Sequence, residues 1–365
     1  MKGIAEAVSV QQVVGLTKAE SRFAAAHRGG ITSLVGREHE IGLVLDRWTQ
    51  AKEGDGQIVL LSGEAGIGKS RITETLQERT AMDHPIRLRY QCSPYHTNSA
   101  LYPVIAQIEH AAGFEVEDEN EVKLAKLDSL LSQSMQAIDV IAPFIAALLS
   151  IPADGRNDSL EMTPERQKEI TLEGLVAQLE GLSQQRTVLL IFEDVHWADP
   201  TSLEWLELVI DRAQSIPVVV VITFRPEFQP PWSGYTHITS LTLNRFSSSL
   251  ASTMVGKITG GIKLPAEVLE QIVEKTDGVP LFVEELTKTI LESGLLTKHL
   301  DHYVLSGPLP EVTIPATLQD SLMARLDRLG PVKEVAQIAA AIGREFTYDL
   351  LAEISPLSFR NFTVH

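Results

Sequence analysis

The tightest constraint on this chain is the run Gly63-Glu64-Ala65-Gly66-Ile67-Gly68-Lys69-Ser70, which fits G-x-x-x-x-G-K-[ST] at every fixed position. Its glycines let the backbone curl until successive N–H groups converge, and a following helix adds the positive end of its dipole at the same point. An anion belongs there. A glycine-rich turn can reproduce the pattern by chance, so its context decides the reading. Here the apolar run Ile58–Leu61 enters the loop, and a helical pattern leaves it from Lys69 to about Thr80. Strand, loop and helix in that order point to a nucleotide phosphate site. Lys69 is expected on the β- and γ-phosphates and Ser70 on Mg²⁺. Gly63, Glu64, Ala65, Gly66, Ile67, Gly68 and the neighbouring Arg71 complete the expected contacts.

The rest of the chain agrees with a parallel α/β fold. Strand candidates are Ile58–Leu61, Arg87–Gln91, Val188–Phe192, Val218–Thr223 and His237–Leu243, separated by amphipathic helices. Four of the five read as continuous apolar runs, the pattern of strands covered on both faces. A mainly helical stretch, about Leu101–Gln185, separates the second strand from the third, and its acidic run Glu115–Glu121 reads as a solvated loop or helix start. After Asn244, helical periodicity takes over in Ser247–Lys257, Pro265–Lys275 and Leu281–Gly294, followed by a short hairpin near His302–Ser306. The expected architecture is a three-layer α/β core with a parallel five-stranded sheet, a helical lid, and a partial winged-helix-like region.

Further site candidates cluster at strand ends. Val188–Phe192 runs into Glu193-Asp194, where one carboxylate would hold Mg²⁺ and the other orient or deprotonate the attacking water. Glu first and Asp second inverts the usual order, so which carboxylate does which is open, and hydrolysis follows less directly than binding. Asp199 before Pro200 reads as a helix N-cap, while His196 and Trp197 read either as structural or as sensors of the nucleotide. Arg225, closing the strand Val218–Thr223 with Phe224, is placed to meet a γ-phosphate or to pair with Glu227.

These motifs resemble the signal-transduction (STAND) branch of AAA+ ATPases. Val35-Gly36-Arg37-Glu38 is similar to that family's GRE box, which precedes the loop, and Gly278-Val279-Pro280 to its lid motif. The resemblance implies that Gly36, Arg37 and Pro280 help seat the adenine of ATP or ADP. More narrowly, Tyr90-Gln91-Cys92-Ser93-Pro94-Tyr95-His96, Glu193–Pro200, Phe224–Phe228 and Ser321–Asp327 look like the ATPase module of bacterial class III adenylate/guanylate cyclase fusions. On that resemblance residues 1–30 would be a remnant cyclase strand and linker, 31–245 the ATPase core, 246–306 the lid, and 307–365 an incomplete winged-helix-like region. No cyclase chemistry is expected, because the positions of its metal-binding aspartates are missing. A cyclase domain or a helical-repeat protein is the implied partner, and a nucleotide-dependent oligomer the implied assembly. Turnover is expected to be slow or partner-dependent.

Composition narrows the alternatives. The 365 residues carry 31 basic and 48 acidic side chains, a net charge of −17 that repels nucleic acid and anionic lipid. An origin-recognition-like DNA-binding protein is the main rival reading. Against it, residues 311–365 hold five basic and seven acidic side chains, where a DNA-reading winged helix would show a basic face. A GTPase would carry an N-K-x-D motif, and the kinase reading does not explain the lid motif. The single cysteine, Cys92, excludes an internal disulfide or a Cys-pair zinc site, even with His84 and His96 in the same stretch. With neither a signal peptide nor an apolar stretch long enough to cross a bilayer, the cytoplasm is the expected location.

Overall fold

A computed structural model describes residues 34–134, 138–152, 162–232 and 234–307, with isolated helical positions between 335 and 354. The expected cyclase remnant at 1–30 and nearly all of the winged-helix-like region at 307–365 lie outside the described residues. Two compact units emerge. One is Leu34–Thr253 together with Asp277–Leu281; the other holds Met254–Thr276 and the described residues from Phe282 onward.

The first unit opens with helix α1 (Glu38–Lys52), strand β1 (Gln57–Ser62) and helix α2 (Lys69–Thr80). After β2 (Ile86–Gln91) come four helices, α3 (Tyr102–Ala112), α4 (Asn120–Ser132), α5 (Ile138–Leu148) and α6 (Pro164–Ser183). The acidic run falls in the loop and first turn of α4, as its charge requires. Then follow β3 (Val188–Glu193), α7 (Pro200–Ala213), β4 (Val218–Phe224) and β5 (Ile238–Thr242). All pairings in this sheet are parallel, in the order β2-β3-β4-β1-β5.

Period-2 alternation sends neighbouring residues to opposite faces. Val59, Leu189, Ile191, Val219 and Val221 meet Val44, Trp48 and Ala51 of α1 and Leu76 of α2. Ile58, Leu60, Leu190, Phe192, Val220 and Ile222 meet Trp205, Leu206, Val209 and Ile210 of α7, with α3 and α6 beyond. This is the three-layer α/β/α arrangement, and each fully buried Val or Leu contributes ~1.5–3 kcal/mol relative to exposure.

One expectation is corrected. Burial runs the full length of β3 and β4 and the middle of β1, whereas β5 is half-exposed like β2. The pairing order makes β2 and β5 the sheet edges, so three strands rather than four are covered on both faces. The order also places β1 where the chain reverses direction across the sheet: β2, β3 and β4 lie to one side of it and β5 to the other. In open parallel sheets a crevice forms at the carboxyl ends of strands at such a point.

The second unit takes in α9 (Ala266–Thr276) and, beyond its Phe282 boundary, most of α10 (Pro280–Glu292), while α8 (Ser248–Ile258) runs from the first unit into it. A two-stranded antiparallel hairpin, β6 (Leu296–Lys298) with β7 (Tyr303–Leu305), closes it where a hairpin is expected. Tyr303 N–H donates to the Lys263 carbonyl at 2.7 Å, tying the hairpin to the segment before α9. No helix among the described residues is long and apolar enough to cross a membrane.

Candidate functional site

The glycine loop lies at the carboxyl end of β1, where the strand order reverses. Ile67 is 1% exposed and packs with Ile41, Leu61, Ile72 and Leu243, so the loop is anchored by its one buried apolar side chain. Gly68 precedes α2 with φ +106°, in open space. Its glycine is demanded by backbone conformation rather than by crowding. Lys69, 9% exposed, donates from Nζ to the carbonyls of Gly63 at 2.6 Å and Glu64 at 3.0 Å. The ammonium is thus held across the mouth of the loop. Burial pulls its pKa below the usual lysine value, and Asp194 is the strongest of the charges opposing that shift. Ser70 is half-buried in the first turn of α2. Arg71 reaches Glu78 at 3.6 Å, but its Nε and Nη1 are buried without hydrogen-bond partners.

The two carboxylates after β3 diverge. Glu193 is 4% exposed at the last position of the strand. Arg89 of β2 donates to it from Nε at 3.0 Å and to Glu74 of α2 from Nη1 at 2.7 Å. Arg89 and Glu193 can meet because β2 and β3 pair in parallel with Gln91 opposite Glu193, which puts both on the face covered by α2. Glu74 is one helical turn beyond Ser70, so this buried Glu–Arg–Glu group lies beside the loop. Burial pushes the Glu193 carboxyl above the usual range, against the opposing pull of Arg89. Asp194 instead leaves the strand with φ +57°, a left-handed conformation that Asp tolerates better than most residues. Its N–H donates to Thr223 Oγ1 at 3.0 Å.

Arg225 ends β4. Its guanidinium lies over the Trp197 ring, 5.0 Å from the centroid, a cation–π contact, and among the described residues it forms no ion pair with Glu227. His196 packs against Trp197 with ring centroids 4.3 Å apart. Asp199 is the N-cap of α7, accepting from Ser202 N–H at 3.0 Å, and it also accepts from Leu101 N–H at 3.2 Å. The structural reading of Asp199 therefore holds, with Pro200 as the first helical residue.

The residues expected near the base form a brace. Arg37, 6% exposed, donates to the Asn244 carbonyl at 2.6 Å and the Ile67 carbonyl at 3.4 Å, pairs with Glu40 at 3.0 Å and covers the Phe246 ring at 5.0 Å. Gly36 (φ +61°) packs on Leu250. Pro280 starts α10, and the next N–H, of Leu281, donates to the Gly66 carbonyl at 3.2 Å. Arg245 bridges Glu64 of the loop, at 2.8 and 3.0 Å, and Asp277. The structure thus joins Arg37, the loop and the Asp277–Leu281 segment within one unit. It brings Lys69, Asp194 and Arg225 into mutual electrostatic range.

Four contributors went unseen in the sequence: Arg89, Glu74, Thr223 and Arg245. Arg87 and Arg89 alternate in a strand pattern, a sign of an edge with one polar face. Their partners depend on strand order, which no local pattern encodes.

The donor set fits a Mg²⁺–nucleotide. Ser70 offers a hydroxyl and Glu193 and Asp194 offer carboxylates, all hard oxygen ligands. Among the described residues no three His, Cys, Asp or Glu side chains form a metal-binding group. The ring nitrogens of His196 are buried and form no hydrogen bond among the described residues. Cys92 is buried and free, its thiol pushed well up by burial and by neighbouring carboxylates.

Comparison with known proteins finds a curated relative, solved structures of similar fold and a matching family. An uncharacterised protein of Rhizobium meliloti (strain 1021) is 27% identical over 360 residues, covering 98% of this chain and 34% of that protein. The chain thus spans about a third of the length of this curated relative. Among solved structures, a STAND protein with a tetratricopeptide-repeat sensor from Pyrococcus horikoshii aligns with TM-score 0.46 at 13% identity, over 90% of this chain and 38% of that one. The Aeropyrum pernix Orc1 protein in complex with DNA aligns with TM-score 0.45 at 13% identity, over 84% and 69%. The AAA ATPase domain pattern matches residues 33–222, just over half of the chain. With the β2-β3-β4-β1-β5 parallel sheet and the loop after β1, that match shows that the chain belongs to the AAA ATPase domain family.

Proposed function

We propose that this chain is an ATP-binding switch module of a larger signalling protein. The observation that carries the reading is Lys69, a buried ammonium held across the loop mouth by two loop carbonyls and facing Asp194. Exchanging those neutral carbonyl acceptors for phosphate oxygens pairs the Lys69 ammonium with an opposite charge, a gain that only an anion provides. The loop N–H groups and the N-terminus of α2 bind the same phosphates. Mg²⁺, when bound, neutralises and orients the phosphate oxygens. Ser70 and Glu193 are assigned to hold it. Asp194, free of the Arg89 clamp and turned toward Lys69, is assigned to orient the attacking water and accept its proton at a carboxylate oxygen. Arg225 stabilises charge on the terminal phosphate.

Turnover is expected to be slow, because Arg89 engages Glu193 and competes for the oxygens that Mg²⁺ would use. The segment Asp277–Leu281, bonded to the loop through Leu281 and Arg245, is the route from nucleotide to the helical lid assigned to 246–306. Length supports a larger assembly, since the curated relative extends far beyond the aligned region. A cyclase domain or helical-repeat partner remains the output we assign on the sequence resemblance.

ATP binding and turnover by the purified chain with Mg²⁺, beside Lys69→Ala, test the assignment. Binding should be abolished or severely weakened in the variant. Equal ATP affinity in the two proteins would refute it.

A further inference from the structure

The short helical turn Val195–Trp197 directly after Asp194 carries an arrangement that neither the loop nor the two carboxylates explain. Both ring nitrogens of His196 are buried and, among the described residues, have no hydrogen-bond partner. Such a group is rare in a folded protein, because the desolvated donor and acceptor gain nothing in return. The backbone beneath it is fixed: Trp197 N–H donates to the Asp194 carbonyl and Ala198 N–H to the Val195 carbonyl, both at 2.9 Å. Val195 and Asp199, on either side, are 1% and 2% exposed. Only the side chains of His196 and Trp197 are therefore placed to change.

Their surroundings say toward what. The charged groups acting on His196 are Asp194, Arg225, Lys69 and Glu227, three of them residues assigned above to the terminal phosphate and its attacking water. Trp197 touches both side chains, with the His196 ring at 4.3 Å between centroids and the Arg225 guanidinium 5.0 Å from its centroid. An imidazole that holds one proton can donate it to a phosphate oxygen, whereas no group among the described residues accepts it.

We propose that His196 is the terminal-phosphate discriminator of this site: its imidazole N–H donates to the last phosphate of ATP, with Arg225, which rests on the Trp197 ring, meeting the same phosphate. ADP lacks that phosphate, so His196 separates the two nucleotides. The inference rests on the nucleotide-binding reading above.

The test compares Mg–ATP and Mg–ADP affinities by calorimetry for the whole chain, His196→Ala and His196→Gln. A hydrogen bond to a charged phosphate predicts that His196→Ala loses roughly ten-fold or more in ATP affinity. ADP affinity should stay at the parent value, and His196→Gln, which keeps an N–H donor, should recover part of the loss. Without nucleotide, His196→Ala should still unfold cooperatively, since it loses ring packing on Trp197 but no hydrogen bond. Equal losses for both nucleotides, or an unchanged ATP affinity, would overturn the proposal while ADP binding kept the nucleotide site itself intact. A parent chain that binds neither nucleotide would overturn both.

Discussion

Replacing Arg89 by methionine keeps most of the aliphatic stem and removes the cation that holds Glu193 and Glu74 together. In the folded chain Arg89 is 13% and Glu193 5% exposed by side chain, so the variant leaves a carboxylate in a nearly dry site. Breaking a buried ion pair from one side costs about 3–5 kcal/mol. Protonation limits the loss, because burial already raises the Glu193 pKa and removing the arginine raises it further. We expect a net loss of about 2–4 kcal/mol at neutral pH. The sign of the pH dependence follows. A carboxyl with a raised folded pKa contributes full stability below its unfolded value of about 4.3 and loses it as pH rises through the folded value. For Arg89→Met that window moves upward, so the gap between parent and variant should be smaller at pH 5 than at pH 7. Urea denaturation at both pH values with metal chelated measures this. Arg89→Met/Glu193→Gln should recover much of the loss, since its buried pair carries no net charge. An Arg89→Met midpoint equal to the parent's, or a gap unchanged between pH 5 and 7, would refute the reasoning.

Two further substitutions probe the frame. Asp199→Ala removes the α7 cap and leaves Leu101 N–H unpartnered, for a loss of about 2–4 kcal/mol readable in the same denaturation experiment. A midpoint like the parent's would mean the cap is dispensable. Gly278→Ala places a methyl 2.2 Å from the Phe246 carbonyl oxygen at φ +70°. The backbone strain alone is about 1–2 kcal/mol, so melting temperature and ATP affinity should both fall; unchanged values would remove the Asp277–Leu281 segment from the site.

Sequence by itself determined much of this protein, for local reasons. The five strands and the helix after the loop were legible to within a residue or two, because burial writes long apolar runs in the three central strands, the edge strands keep β-rich patterns, and the loop chemistry is contiguous in the chain. Asp199-Pro200 was legible as a cap for the same reason, its contact with Ser202 lying three residues away. Tertiary structure alone decided the rest. That β5 is an edge strand, that Arg89 clamps Glu193 across 104 residues of chain, and that Arg245 joins Glu64 to Asp277 all depend on which strands lie side by side. The inverted Glu193-Asp194 pair shows the division most clearly. Its residues are adjacent in sequence, yet they turn to different partners because a left-handed Asp194 ends the strand exactly where period-2 alternation stops.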